Sequence, residues 1–278
     1  MKFTKMHGAG NDFVLFNGIE QKIDDYEKLA IKVCDRHFSV GGDGIMVAEK
    51  SDVADVKMVY YNSDGSQGEM CGNGVRCFSK FVYDHHIVNK EVFRVETLAG
   101  IKTIWLEVDE KGEVKLVKVN MGKPIFDAQK IPVLCKDEKV IEKHIEIDGK
   151  NIVFSSVLVG VPHTVIFVED IKGIDINDLG YKIEAHPKFP KKTNVNFVEV
   201  KERNKINVYT WERGAGRTLA CGTGCCSSVV IGNILNKLDN HVRVQAEGGV
   251  IEVALKDAFE IFMKGSATTI CIGNFENM

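Results

Sequence analysis

The sequence predicts a mixed α/β chain built from two similar halves, and three observations carry that prediction. The motif Cys-Gly-x-Gly occurs twice, at Cys71 to Gly74 and at Cys221 to Gly224, 150 residues apart. Short runs that alternate apolar and polar residues mark strands on both sides of each motif. After each motif the apolar spacing turns helical, with Val75, Phe78, Phe81 and Val82 in one half and Val229, Val230, Ile234 and Leu235 in the other. At 278 residues the chain is about twice the usual domain size, which suits two domains.

The elements follow in chain order. Asn11-Asp12-Phe13-Val14 opens an apolar run that Asn196-Phe197-Val198 echoes at an offset of about 184. On that offset the first half carries roughly thirty extra residues before its cysteine, holding a helix from Tyr26 to His37. Val59-Tyr60 and Val208-Tyr209 each begin a strand before a glycine turn, Asp64 to Gly68 in one half and Arg213 to Gly216 in the other. Beyond the helices, Glu96 to Ile101 is set opposite Ala246 to Ile251 at the same offset as the cysteines. Val92 to Val95, Ile101 to Val108, Val114 to Val119, Val165 to Val168, Val242 to Val244 and Val250 to Leu255 read as half-buried strands. The charged stretch Lys136 to Lys143 reads as an exposed hairpin or the margin of a linker, near which the chain divides into similar halves.

Composition narrows the function. Hydrophobic residues make up 44% and charged residues 27%, and 36 Lys and Arg against 39 Asp and Glu leave a formal charge of −3. That balance gives no electrostatic footprint for nucleic acid or an anionic membrane. No apolar run approaches a spanning helix, and Met1 to Phe13 holds His7, Asn11 and Asp12 where a signal peptide needs an apolar stretch, so a cytoplasmic protein is expected. Eight cysteines are too dilute for a disulfide scaffold and read as reduced thiols.

Chemistry points to two of those thiols. A cysteine at the start of a helix feels the positive end of the dipole and the unpaired amides there, which favour thiolate. Gly72 and Gly74, and likewise Gly222 and Gly224, clear side chains from the helix mouth and leave amides able to hold a carboxylate. One such motif alone is explained by a buried cysteine beside turn glycines. Two of them, in halves packed as a pseudo-twofold pair, would set opposed thiols across one cleft around an anion site. Inverting a carbon stereocentre needs that arrangement: a base on one face, an acid on the other, and a clamp on the adjacent carboxylate. A nucleotide phosphate is the weaker candidate, since no P-loop pattern exists and neither helix start carries a lysine. Cys221, Cys225 and Cys226 lack the second matching pair of a zinc site, and a redox Cys-x-x-Cys is missing. Cys77, Cys225 and Cys226 are expected to pack on helix faces, and Cys34, Cys135 and Cys271 to be core or surface residues.

Polar residues accompany the thiols. His163 follows Pro162 after the apolar run Val157 to Val161, and Glu212-Arg213 precedes Gly214. Arg213 in a cleft would grip a carboxylate, and Glu212 would hold an imidazole or ammonium. Asn11, Asn62 and Asn194 sit beside strand ends or turns, where turn formation accounts for each one singly.

Taken together, these stretches resemble the diaminopimelate epimerase family over nearly the whole chain. The matching segments are Lys5 to Phe13, Asn62 to Ser66, Cys71 to Cys77, Glu212 to Gly216 and Ala220 to Gly224. The resemblance implies two similar domains, residues 1–120 and 121–278, each a curled, mostly antiparallel sheet around a central helix, with the last strand free to pack back on the first. It implies a thiol pair that works without cofactor or metal, Cys71 and Cys221 being base and acid. It implies a carboxylate cradle at Gly72-Asn73 and Gly222-Thr223, an activating pair in His163 and Glu212, and substrate contacts at Asn11, Asn62, Asn194 and Arg213. The implied partner is a small-molecule amino-acid substrate, and the sequence leaves a homodimer open.

Two departures bear on the substrate. Where the family reads Gly-Asn-Pro-His this chain reads Gly160-Val161-Pro162-His163, so an isopropyl group replaces an amide at the end of the site remote from the reacting carbon. Arg217 stands where glutamate or a neutral residue is usual. The reading is therefore an amino-acid epimerase or racemase, with diaminopimelate as the family default and histidine, or another amino acid with one stereocentre, as the alternative.

Overall fold

The structure, a computed structural model, describes residues 1–276. Its elements are β1 (Lys2–Gly8), β2 (Asn11–Asn17), α1 (Tyr26–Cys34), β3 (Gly44–Glu49), β4 (Val56–Asn62), β5 (Gln67–Gly68), α2 (Gly72–Asp84), β6 (Val92–Thr97), β7 (Gly100–Val108) and β8 (Val114–Gly122). There follow β9 (Lys143–Ile147), β10 (Lys150–Val159), β11 (Val161–Val168), α3 (Ile176–Glu184), β12 (Asn194–Glu202), β13 (Lys205–Glu212), β14 (Gly216–Thr218), α4 (Gly222–Ile234), β15 (His241–Ala246), β16 (Gly249–Lys256), β17 (Glu260–Gly265) and β18 (Thr268–Asn274). The chain divides into two compact units. One runs from Met1 to Asn120 and takes in the closing segment from Lys264 on; the other is Met121–Met263. The fold is mixed α/β and dominated by sheet. Among the described residues no helix is long and apolar enough to cross a membrane.

In the first unit the strands run in the order β18, β1, β2, β3, β4, β6, β7, β8. They are antiparallel except for β2–β3 and β4–β6. The second unit repeats the plan as β9, β10, β11, β12, β13, β15, β16, with β11–β12 and β13–β15 parallel. Parallel neighbours need a crossover, and α1, α2, α3 and α4 supply the four crossovers. The crossovers α2 and α4 become the central helices. Helix α2 packs against β1, β2, β3 and β7, and α4 against β10, β11, β12, β13, β15 and β16. Every residue from Gly222 to Gly232 is buried, so α4 has no solvent face until its last turn, and its run of small residues lets the sheet come close on all sides.

Register shows how the two units correspond. Phe13 pairs with Gly44 and His163 with Asn194; Ile45 pairs with Tyr61 and Val195 with Trp211; Tyr60 pairs with Gly68 and Thr210 with Thr218. Each pair repeats at the 150-residue spacing of the cysteines, so Asn11 corresponds to Val161 at the start of β2 and β11. The expected match of Asn11-Asp12-Phe13-Val14 to Asn196-Phe197-Val198 is therefore wrong. Asn196 lies in β12, the counterpart of β3, and α1 has its own counterpart in α3, so the first half carries no thirty-residue excess.

The hairpin turn of β6–β7 sits between Thr97 and Gly100, and that of β15–β16 between Ala246 and Gly249, an offset of 149 because the loop after α4 is one residue shorter. Matching Glu96 to Ala246 was one residue out, which in a strand exchanges the two faces. Helix α1 stops at Cys34 rather than His37. Asp35 turns its carboxylate onto the amides of His37 and Phe38, and the amides of Gly41 and Gly42 return to the carbonyls of Val33 and Cys34. The strand expected from Val165 begins at Val161, because Gly160 takes φ +73° and makes a tight turn there. The charged stretch Lys136 to Lys143 lies inside the second unit and leads into β9.

Candidate active site

Both Cys-Gly-x-Gly cysteines are helix N-caps, in extended conformation immediately ahead of α2 and α4. The first intrahelical bonds run from the Val75 amide to the Cys71 carbonyl and from the Cys225 amide to the Cys221 carbonyl. The amides before them, at Gly72-Asn73 and Gly222-Thr223, form the helix mouth, where partial positive charge gathers. Each motif's second glycine has a steric reason. A Cβ at Gly74 would lie 1.8 Å from Met46 Cε, and one at Gly224 would lie 2.2 Å from Asn196 Oδ1.

In the first unit Cys71 is half-buried, and its Sγ accepts from the Gly74 amide at 3.5 Å. The thiol donates to Asn11 Oδ1, also at 3.5 Å, and the Asn73 side-chain Nδ2 donates to the same oxygen at 3.4 Å. Asn11 is itself held, since its Nδ2 donates to Asp43, whose carboxylate also takes the Asp12 amide and pairs with Arg36. Arg36 and Lys5 both pair with Asp12, pulling its carboxyl down to about 2 against the cost of its burial. Asn73 is anchored by the fully buried Arg76, whose guanidinium donates to Asn73 Oδ1 and to the carbonyls of Gly72 and Ser266. Asn62, the last residue of β4, accepts from the Tyr60 hydroxyl and donates to Ser66 Oγ at 3.0 Å.

The second unit surrounds its thiol differently. Cys221 is 6% exposed. Burial first, and then the Glu212 carboxylate, push its thiol well above the ordinary range, while the Thr223 hydroxyl pulls the other way. Thr223 Oγ1 lies 3.3 Å from Cys221 Sγ and 2.9 Å from His163 Nε2. The other ring nitrogen of His163 lies 3.1 Å from Asn196 Nδ2. Burial, then the charge of Arg213, holds the His163 ring down at about 3. Glu212 is half-buried at the end of β13 and accepts from Thr218 Oγ1 at 2.7 Å.

The remaining expected site residues are distributed as follows. Asn194 is buried and spans the loop, donating to the Pro162 carbonyl at 2.8 Å and accepting the Arg213 amide at 2.9 Å. Arg213 is exposed; its guanidinium donates to the Lys191 carbonyl and, among the described residues, pairs with no carboxylate. Val161 is half-buried at the start of β11. Arg217 is committed elsewhere, to Glu247 at 2.6 Å and to the face of Tyr209. Sequence reasoning missed Asn196, Thr210, Asp43 and Arg76. Arg76 stood in the quoted motif with no role assigned, whereas the other three look like ordinary strand or turn residues until the register is known.

A model of the family described as diaminopimelate epimerase matches residues 3–126 and 155–270. The chain belongs to the diaminopimelate epimerase family. Similar relatives named diaminopimelate epimerase include that of Caldanaerobacter subterraneus subsp. tengcongensis, 48% identical over 99% of this chain and 100% of its own. The relative from Alkaliphilus metalliredigens is 46% identical over 100% and 98%, and that from Methanococcus maripaludis strain C5 44% identical over 99% and 100%. Among solved structures, a probable proline racemase from Agrobacterium radiobacter superposes with a TM-score of 0.74 at 14% identity, over 99% of this chain and 92% of that one. A hydroxyproline epimerase from Agrobacterium vitis gives 0.73 at 15% identity, over 98% and 91%. At those identities the two structures speak for the family's fold.

Proposed function

We propose that this protein is an isomerase that interconverts LL- and meso-diaminopimelate by moving the α-proton between two thiols, Cys71 and Cys221. One thiol, as thiolate, takes the proton; the other, as thiol, returns one to the opposite face of the carbon. The mechanism calls on no cofactor. The reacting carboxylate is held by the amides of Gly72-Asn73 and Gly222-Thr223, whose dipoles stabilise charge that develops as the proton leaves. His163 and Glu212 tune the thiols, and Asn11, Asn62, Val161, Asn194 and Arg213 bind the rest of the substrate. The observation that carries the reading is the pair of cysteine N-caps, one at the glycine-cleared mouth of each central helix, in a chain whose full-length relatives carry this name. Those relatives favour diaminopimelate over the histidine alternative that Val161 and Arg217 suggested, and the bond from Arg217 to Glu247 removes one of its two supports.

The test is turnover in D₂O of LL-diaminopimelate alongside L-histidine, read as α-deuterium by mass spectrometry and as stereoisomer by chiral chromatography. Exchange and inversion of diaminopimelate are expected. Exchange of histidine with none of diaminopimelate overturns the substrate, and turnover that survives Cys71→Ala or Cys221→Ala overturns the thiol pair.

A further inference from the structure

We infer that Asn196 is a positioning residue for the second thiol: it fixes His163 as the Nε2–H tautomer, so that the Thr223 hydroxyl turns its hydrogen toward Cys221. The inference rests on the proposed role of Cys221 as a reacting thiol.

The hydrogen-bond network assigns each proton in turn. The Thr164 carbonyl can only accept, so the Asn196 atom 3.2 Å from it is the amide nitrogen. In that orientation the Thr210 hydroxyl donates to Asn196 Oδ1 at 3.2 Å. The second amide proton then points at His163 Nδ1, which must accept it and so carries no proton. Held neutral by burial, the imidazole keeps its one proton on Nε2, facing Thr223 Oγ1. That oxygen accepts from the ring, which leaves its own hydrogen for Cys221 Sγ. A thiolate at Cys221 gains a hydrogen bond strengthened by the chain behind it. A thiol there can donate back to the second lone pair of Thr223. Apart from the proton that the sulfur itself gains or loses, none moves along this line of hydrogen bonds; only the hydroxyl rotates, so the contact survives both states of the sulfur. Glu212 and Cys225 also act electrostatically on this sulfur, and Arg213 acts on His163.

The first unit shows that the fold does not require this polar layer. At the corresponding positions it has Phe13 for His163, Met46 for Asn196, Tyr60 for Thr210 and Asn73 for Thr223. Phe13 and Tyr60 meet edge-on, and Met46 packs where Asn196 lies against the second glycine of the motif. Burying His163 and Asn196 where the first unit has Phe13 and Met46 costs stability unless each polar group is paired, and here they are paired in a line that ends on the sulfur.

The test combines tautomer and thiol reactivity on the full chain. In ¹⁵N-histidine-labelled protein the His163 signals, assigned by their loss in His163→Phe, are expected to show an unprotonated Nδ1 and a protonated Nε2 from about pH 5.5 to 8.5. Thr223→Val should raise the midpoint for alkylation of Cys221 by iodoacetamide by about one pH unit, a tenfold change at fixed pH. Thr223→Ser should retain the wild-type midpoint, and Cys71 in the same molecules should be unmoved. Asn196→Asp should transfer the ring proton to Nδ1 and reproduce the Thr223→Val shift. A wild-type ring protonated at Nδ1, or equal Cys221 profiles for wild type and Thr223→Val, overturns the inference. If the thiol responds as expected but wild type leaves diaminopimelate untouched, the functional reading fails and the chain of hydrogen bonds stands. If diaminopimelate turns over while the thiol is indifferent, the inference alone falls.

Discussion

The two helix mouths share a backbone and differ in almost every side chain around the sulfur. Cys71 is half-buried against a neutral amide, Asn11, which a surface-linked set of charges holds through Asp43. Cys221 is buried against a hydroxyl, with a neutral imidazole behind it and a carboxylate nearby. Where the second unit has His163, Asn196 and Thr210, the first fills the same space with Phe13, Met46 and Tyr60. Duplication thus supplied one scaffold twice, and the electrostatic surroundings of the thiols were set separately. The proposed two-base reaction would benefit from that difference, since it needs one sulfur to hold at rest a proton that the other lacks.

The largest expected effect treats the two mouths as equals. Cys71→Ala and Cys221→Ala should each lower the rate of inversion by ~10²–10⁴-fold while thermal unfolding stays close to wild type. Near wild-type inversion in either variant, measured by chiral chromatography, would break the comparison at its root.

Making the second mouth resemble the first sharpens it. The double variant His163→Phe, Asn196→Met should lose ~10²-fold in kcat yet only ~1–2 kcal/mol in stability at pH 7, chiefly because the Thr210 hydroxyl is left without its acceptor. The pH dependence should change as well. The His163 ring sits at about 3 when folded against 6.5 ordinarily, so the unfolded chain takes up the proton first. Stability from this group is whole above pH 6.5 and falls as the pH drops toward 3, by up to ~1.4 kcal/mol per pH unit. Urea titrations at pH 7 and pH 5 should show that loss in wild type and a smaller one in the double variant. Full activity in the double variant would reduce the polar layer to packing.

The paired glycines give a finer contrast. Gly74→Ala meets the free end of Met46, which can swing away, so a stability change within ~1 kcal/mol is expected. Gly224→Ala meets Asn196 Oδ1, an atom pinned by hydrogen bonds, and should cost ~1–3 kcal/mol together with activity. Differential scanning calorimetry of the two variants decides it, and equal losses would mean that Asn196 is as free as Met46.

The smallest effect concerns Val161, the counterpart of Asn11. Val161→Asn restores an amide at the start of β11 and should preserve or improve kcat/KM on LL-diaminopimelate, by no more than ~0.5–1.5 kcal/mol. A steep loss would indicate that the isopropyl group, and not an amide, is what the substrate meets there.

The sequence alone determined the duplication, the mixed α/β class and the placing of both thiols at helix starts. Those signals are local: a cysteine followed by two glycines and a helical apolar stripe carries the same physical meaning whatever packs around it. It did not determine how the halves align outside the motif. The match of Asn11-Asp12-Phe13-Val14 to Asn196-Phe197-Val198 rested on similar letters, whereas the pairing of β2 with β3 and of β11 with β12 matches Asn11 to Val161. The surroundings of the second thiol were equally hidden. Asn196 and Thr210 alternate with apolar residues as any half-buried strand residues do, and His163 follows a proline that reads as a turn. Their roles exist only because strand register brings Asn196 beside His163, 33 residues away, and the central helix brings Thr223 beside the same ring, 60 residues away. Tertiary structure decided those contacts because a buried polar group must find its partner wherever the fold supplies one, and sequence spacing does not encode that distance.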